Sequence, residues 1–146
     1  MRFQSTAASC GPTALRNALA ALGVARTEDE LATLCGTTAE GTPPRGVLKA
    51  LREMGHSPAV VHEARGQVAW LLLLQALAAG RPAIACVDQD EHWVAVFATL
   101  GARNEDGPRV LVADSGSSEL VHSYTAAEWL ERWGGPTRRP FYAITL

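Results

Sequence analysis

Leu15, Leu19 and Leu22 recur at helical spacing behind the stretch Ser9-Cys10-Gly11-Pro12. They predict a helix from Cys10, with Pro12 in its first turn and Gly23 as its stop. Thr27-Glu28-Asp29-Glu30 is a capping-box pattern opening a short helix to about Cys35. Gly36 to Pro44 reads as a loop. A third helix is expected over Arg45 to Met54, a short strand over PAVVH, and a fourth helix from Gln67 to Ala79, ended by Gly80. The second half changes character. PAIACVD (82–88), HWVAVFATL (92–100) and RVLVAD (109–114) are β-rich runs, and ARNEDGP joins the last two as a hairpin loop containing Asp-Gly. ELVHSY reads as a further short strand, Thr125 to Trp133 as a short helix, and FYAITL as a closing strand. Helices first and strands after predict an α+β fold with segregated halves, N-terminal helices packed against a C-terminal antiparallel sheet.

A length of 146 residues suits one domain spanning 1–146. The chain is 47% hydrophobic and 19% charged, with a formal net charge of -2. That leaves no basic field for nucleic acid and no polybasic cluster for a membrane surface. Basic density appears only at Arg138 and Arg139. The longest apolar run, Val68 to Ala79, is interrupted by Gln75 and falls short of the roughly 20 residues that span a bilayer. It is expected to be a buried helix. The first residues, MRFQSTAASC, lack the apolar stretch of a signal peptide, so a cytoplasmic location is expected. Three cysteines, with no CxxC pair, argue against both a disulfide framework and a thiolate zinc site.

Each cysteine is therefore judged alone. Cys10 stands at or just before a helix N-terminus, where unpaired backbone N–H groups and the positive dipole end favour a thiolate. Gly11 leaves the approach to the sulfur open. The competing account is a small packed hydrophobe, the usual fate of a free cysteine. Cys35 and Cys86 are expected to pack, as are Trp93, Trp129 and Trp133.

A nucleophilic cysteine needs a base. His56 ends a helix, and His62 and His122 stand near loops in polar, exposed surroundings. His92 differs, because it opens a strongly apolar strand. If strands 92–100 and 109–114 form a hairpin, His92 and Asp114 come to the same end of the sheet, and Asp114 can orient the imidazole. The bland accounts are a strand-end histidine and a turn-forming aspartate before Ser-Gly. Gln4, six residues before Cys10, offers an amide N–H that could join the Cys10 backbone N–H around a developing oxyanion.

The order Gln4, Cys10, His92, Asp114 resembles a papain-like cysteine peptidase. More narrowly, Q-x5-CGPTAL, GRPAIACVD, HWVAVF and VLVADSG together resemble the C39 family, which includes bacteriocin-processing double-glycine peptidases and stand-alone relatives. The resemblance runs from Gln4 to the Trp129–Trp133 segment. It implies Cys10 as nucleophile, His92 as base and then acid, Asp114 as its orienter, and Gln4 in the oxyanion hole. It also implies a peptide or protein as partner, possible processing of a leader after Gly-Gly, and no cofactor. The chain departs from the pattern in having Ser9 where the family often has Asp, and Ser115 where it usually has Pro.

Two readings from other classes stand beside it. One is a peptide-binding module of the same fold without turnover. The other is a metal site from Asp90, Glu91, His92, Asp114 and His122, which has no H-x-x-x-H spacing and leaves Cys10 unexplained. No metal is expected. Acyl transfer to an amine would use the same groups with another acceptor. Gly134-Gly135 reads as a turn.

Overall fold

The computed structural model describes residues 1–101, 107–135 and 140–146. The Asp-Gly loop falls mostly on 102–106, and that stretch, like Arg138 and Arg139, lies outside the described residues. A 3-10 turn at Ala7–Ser9 leads into α1 (Cys10–Ala21), then α2 (Glu28–Cys35) and α3 (Pro44–Glu53). β1 (Ala59–Glu63) and α4 (Gly66–Ala78) follow. The rest is β2 (Ala83–Val87), β3 (His92–Leu100), β4 (Arg109–Ala113), β5 (Val121–Tyr124), α5 (Ala126–Gly134) and β6 (Phe141–Thr145).

Local chemistry sets most of these bounds. At α2 the expected capping box forms: the Glu30 N–H donates to Thr27 Oγ1 at 3.1 Å, and the Thr27 N–H to Glu30 at 3.3 Å. Thr125 and Glu128 repeat the device at α5. α3 begins one residue earlier than expected because Pro44 takes the first helical position, where its missing N–H costs nothing.

The six strands form one sheet in the order β1-β6-β2-β3-β4-β5. Every neighbouring pair is antiparallel. This is the α+β class the patterning implies, with one correction to the segregated picture. Helices cover both faces of the sheet. α1, α2 and α3 pack on one face through Leu15, Leu19, Leu31, Val47 and Leu51, against Ile84, Ala95 and Ile144. α4 and α5 pack on the other through Trp70, Leu73 and Trp129, against Val94, Val96 and Val112. Strands β2 and β3 therefore serve two cores with alternate residues, which is why they read as continuous apolar runs. The fourth helix is not buried all round as expected. It hides one stripe, Ala69, Trp70, Leu73 and Ala76, while Leu71 is 57% exposed.

Glycine is structurally required where α3 crosses α2. A Cβ on Gly46 would stand 1.9 Å from the Cys35 carbonyl oxygen, an approach that only backbone movement relieves. Gly46→Ala is expected to lower unfolding free energy by about 1–3 kcal/mol, read as a reduced urea midpoint with unchanged slope. An unchanged midpoint would show that α3 slides freely.

Candidate active site

Cys10 is the first residue of α1 and is 7% exposed. Its position follows from the turn before it. Ser9 closes that turn on Thr6, accepting from the Thr6 N–H at 3.0 Å and donating to the Thr6 carbonyl at 2.9 Å. The space over Gly11 is filled by Thr42, which would stand 2.5 Å from a Cβ there. Gly11 therefore lets the 36–44 loop close over the start of α1.

β3 and β4 pair with Ala95 opposite Ala113 and Val96 opposite Val112. This places the first residue of β3 beside the residue after β4. His92 Nε2 donates to Asp114 Oδ1 at 2.7 Å. The same ring stands close enough to the Cys10 thiol for each to shift the other's ionisation. The fold thus brings Cys10, His92 and Asp114 into one cluster.

Electrostatics in this cluster favour charge separation. Burial raises the Cys10 thiol, but the His92 hydrogen bond, backbone hydrogen bonds at Trp93 and Gly11, and the imidazolium charge outweigh it, leaving the thiol below its ordinary value. The Asp114 hydrogen bond, with help from Cys10, pushes His92 up to about 9 against some opposing burial. Asp114 itself is buried, yet its bonds to His92 and Arg132 hold it well below the usual carboxylate range. The other two cysteines behave oppositely. Burial pushes Cys35 up to about 11, and burial next to Asp90 and Cys10 pushes Cys86 higher still.

Arg132 is a member of this cluster that sequence reasoning did not single out. From α5 it donates to Asp114 Oδ2 at 2.8 Å, to both oxygens of Asp88 at 3.3 and 3.1 Å, and to the Tyr124 hydroxyl at 2.9 Å. Asp114 is therefore held from two sides, by His92 on one oxygen and Arg132 on the other, with the Gly116 N–H donating to Oδ1 at 3.1 Å. Asp88 opens the turn into β3, where Asp88, Gln89 and Asp90 all take left-handed φ values of 53°, 62° and 66°. Such backbone costs energy for residues with a Cβ, and the Arg132 pair offsets part of it.

Gln4 reaches the site on a segment pinned at several points. Asn17 in α1 clasps Arg2 through both backbone groups, at 2.7 and 3.0 Å. The Ser5 hydroxyl and N–H both donate to Glu28, and Thr13 donates to the same carboxylate at 2.9 Å. The Gln4 N–H donates to the Ser115 carbonyl at 3.2 Å, and Ser115 Oγ donates to Gln4 Oε1 at 2.8 Å. Ser115, one of the two departures from the C39 pattern, thus fixes the Gln4 amide. Gln4 Nε2 donates to the Thr6 carbonyl at 2.9 Å. A cavity takes in Gln4, His92, Asp114 and Gly116 together.

The remaining histidines stand apart from Cys10. His62 is exposed on β1, and His56 is half-buried after α3. His122 is half-buried rather than exposed, bonded to Ser117 at 3.0 Å and to the Glu119 carbonyl at 2.7 Å. Among the described residues no group of three or more His, Cys, Asp or Glu side chains is placed to hold a metal ion. No helix among them is long and apolar enough to cross a membrane.

Comparison with known proteins agrees with this architecture. The structure resembles the peptidase domain of Streptococcus ComA, described as a bi-functional ABC transporter involved in a quorum sensing pathway. The TM-score is 0.70 at 17% identity, over 98% of this chain and 93% of that one. It also resembles a double glycine motif protease from an AMS/PCAT transporter, solved in complex with the leader peptide. There the TM-score is 0.69 at 17% identity, over 97% and 86% of the two chains. At that identity the likeness is one of fold. An uncharacterized protein of Methanothermobacter thermautotrophicus is 48% identical over 53 residues, which are 36% of this chain and 37% of that relative. The model of the Peptidase_C39 like family matches residues 1–138, and the chain belongs to that family.

Proposed function

We propose that the protein is a cysteine peptidase, with Cys10 as nucleophile, His92 as acid–base and Asp114 as its orienter. The observation that carries this is the 2.7 Å bond from His92 Nε2 to Asp114, on a ring that also interacts with the Cys10 thiol. The thiolate attacks an amide carbonyl. The oxyanion that forms is held by the Cys10 backbone N–H and by the Gln4 amide, whose second Nε2 hydrogen is not the one given to Thr6. The imidazolium gives its proton to the departing amine, leaving a thioester. Water, deprotonated by His92, then releases the acid and restores the thiolate. Asp114 stays ionised throughout and stabilises the imidazolium. The substrate is a peptide, and a leader cut after Gly-Gly is the form suggested by kinship with the double glycine motif protease.

The pH dependence follows from the two shifts. Hydrolysis needs the thiolate and the imidazolium together. Activity is expected to rise as the lowered Cys10 thiol ionises and to fall again near pH 9, where His92 loses its proton. The stability that His92 contributes has the same alkaline limit. It is present in full below its ordinary 6.5 and is lost as pH rises through about 9. The direct test is alkylation by iodoacetamide followed by mass spectrometry. Near pH 6.5, Cys10 is expected to react at least ~100-fold faster than Cys35 or Cys86, and His92→Ala to remove most of that advantage. Equal labelling of all three cysteines would defeat the proposal.

A further inference from the structure

Two adjacent residues after β4 each hold one of the groups assigned to the reaction. Asp114 takes the His92 ring at 2.7 Å. Ser115 takes Gln4 twice: its carbonyl accepts from the Gln4 N–H at 3.2 Å, and its hydroxyl donates to Gln4 Oε1 at 2.8 Å. Ser115 is 3% exposed, so little water competes for that hydroxyl. The segment is itself held, since the Asp114 N–H donates to the Leu120 carbonyl at 2.7 Å and the Ser117 N–H to the Asp114 carbonyl at 3.3 Å. Gly116 shows how near the two groups come to each other. A Cβ there would stand 3.3 Å from Gln4 Oε1 and 3.2 Å from His92 Cε1.

An oxyanion donor stabilises charge well only when it is oriented before the charge develops. Gln4 lies ahead of the first helical turn, and its long side chain has much rotamer freedom to lose. The Thr6 carbonyl can only accept, so the end of the amide that faces it at 2.9 Å is the NH2. Oε1 is then the end left to be held, and Ser115 holds it. We propose that Ser115 is a positioning residue for the oxyanion: its hydroxyl locks the Gln4 amide in place and, by donating to Oε1, makes the remaining Nε2 hydrogen a stronger donor. The strengthening follows because hydrogen bonds linked through one polar group polarise each other. This deepens the peptidase reading and rests on it. It is also particular to this chain, since the proline usual at this position in the family has no hydroxyl to give.

The test reads the oxyanion site separately from the thiol, with the peptide aldehyde acetyl-Gly-glycinal. The Cys10 sulfur bonds to the aldehyde carbon, the C=O π bond opens, and the proton shared by Cys10 and His92 passes to the oxygen. The product is a hemithioacetal whose oxygen lies where the oxyanion would form. Iodoacetamide instead alkylates the sulfur with loss of iodide and makes no oxyanion. The Kd of the aldehyde is read by mass spectrometry, as protection of Cys10 from iodoacetamide. Gln4→Ala is expected to weaken the aldehyde about 10–100-fold, and Ser115→Ala about 3–30-fold. In Ser115→Ala the loss should appear toward the aldehyde and leave the pH dependence of iodoacetamide labelling in place. Added to Gln4→Ala, Ser115→Ala should cost nothing further, because the group it acts through is gone. If Ser115→Ala does not fold, Ser115→Cys, whose thiol is a weak donor, makes the same comparison. Wild-type affinity in the Ser115 variant, or an equal loss with and without Gln4, would overturn the positioning role alone, provided Cys10 still outpaces Cys35 toward iodoacetamide. Loss of that advantage in the wild-type chain, or no protection of its Cys10 by the aldehyde, would overturn the peptidase reading and this role with it.

Discussion

Cys10→Ala is expected to lower peptide hydrolysis by at least ~10⁴-fold, since it removes the atom that forms the covalent intermediate. Cys35→Ala is the matched control. Cys35 is buried at the end of α2 and lies outside the Cys10–His92–Asp114 cluster, so its loss costs packing and leaves kcat/KM within about twofold. The comparison also decides between a peptidase and a silent peptide-binding domain of the same fold. A binding domain would hold peptide equally well as wild type and as Cys10→Ala, with no turnover in either. Hydrolysis that survives Cys10→Ala would remove Cys10 from the mechanism altogether.

Asp114→Asn carries the next largest effect, a loss of about 10²–10⁴-fold in kcat, judged from what the same change does to a buried triad aspartate elsewhere. Its pH signature is more informative than its size. Without the carboxylate, the main force holding His92 at about 9 is gone, and the alkaline limb should move down toward the ordinary imidazole range. Arg132→Gln should move it the other way. Removing the guanidinium strengthens the charge that Asp114 presents to His92, so the alkaline limb rises while kcat falls only about 3–30-fold. Arg132→Lys keeps the charge but loses the fork that grips Asp114 and Asp88 at once, and should restore the pH limit better than the rate. A merely structural arginine would lower stability and leave both pH limits where they were. Arg132 is in this sense a positioning residue, acting on the imidazole through the carboxylate.

Much of this arrangement was legible in the chain. The helix start at Cys10 follows from Pro12, and the meeting of His92 with Asp114 from hairpin logic alone, because antiparallel pairing joins the start of one strand to the end of the next. The capping box at Thr27 fixed one helix start. What was not legible depends on sheet order and on contacts distant in sequence. Nothing local announces that β6 inserts between β1 and β2, or that α4 and α5 cover the opposite face. Arg132 was missed because a basic residue in the last turn of a helix already has an ordinary explanation in the helix dipole, while its partners lie 18 and 44 residues away. One signal was available: Arg132 directly precedes Trp133 and lies three residues after Trp129, so it borders the buried stripe of α5. Thr42 was missed for a similar reason, since a threonine in a Gly- and Pro-rich loop gives no hint that it roofs Gly11.

The bulge in β3 bears on how this chain tolerates changes in length. Pairing with β4 shifts between Val96 and Ala98. Nearer the site, Ala95–Ala113 and Val96–Val112 fix the spacing of His92 and Asp114, while the outer half, Leu100 with Arg109, follows a register of its own. A residue inserted or deleted toward the hairpin tip is absorbed beyond the bulge. The same change between His92 and Val96 would turn alternate side chains to the wrong face. Length variants should therefore accumulate at the tip and be purged at the base, so the hairpin can drift in size while the imidazole and its carboxylate keep their spacing.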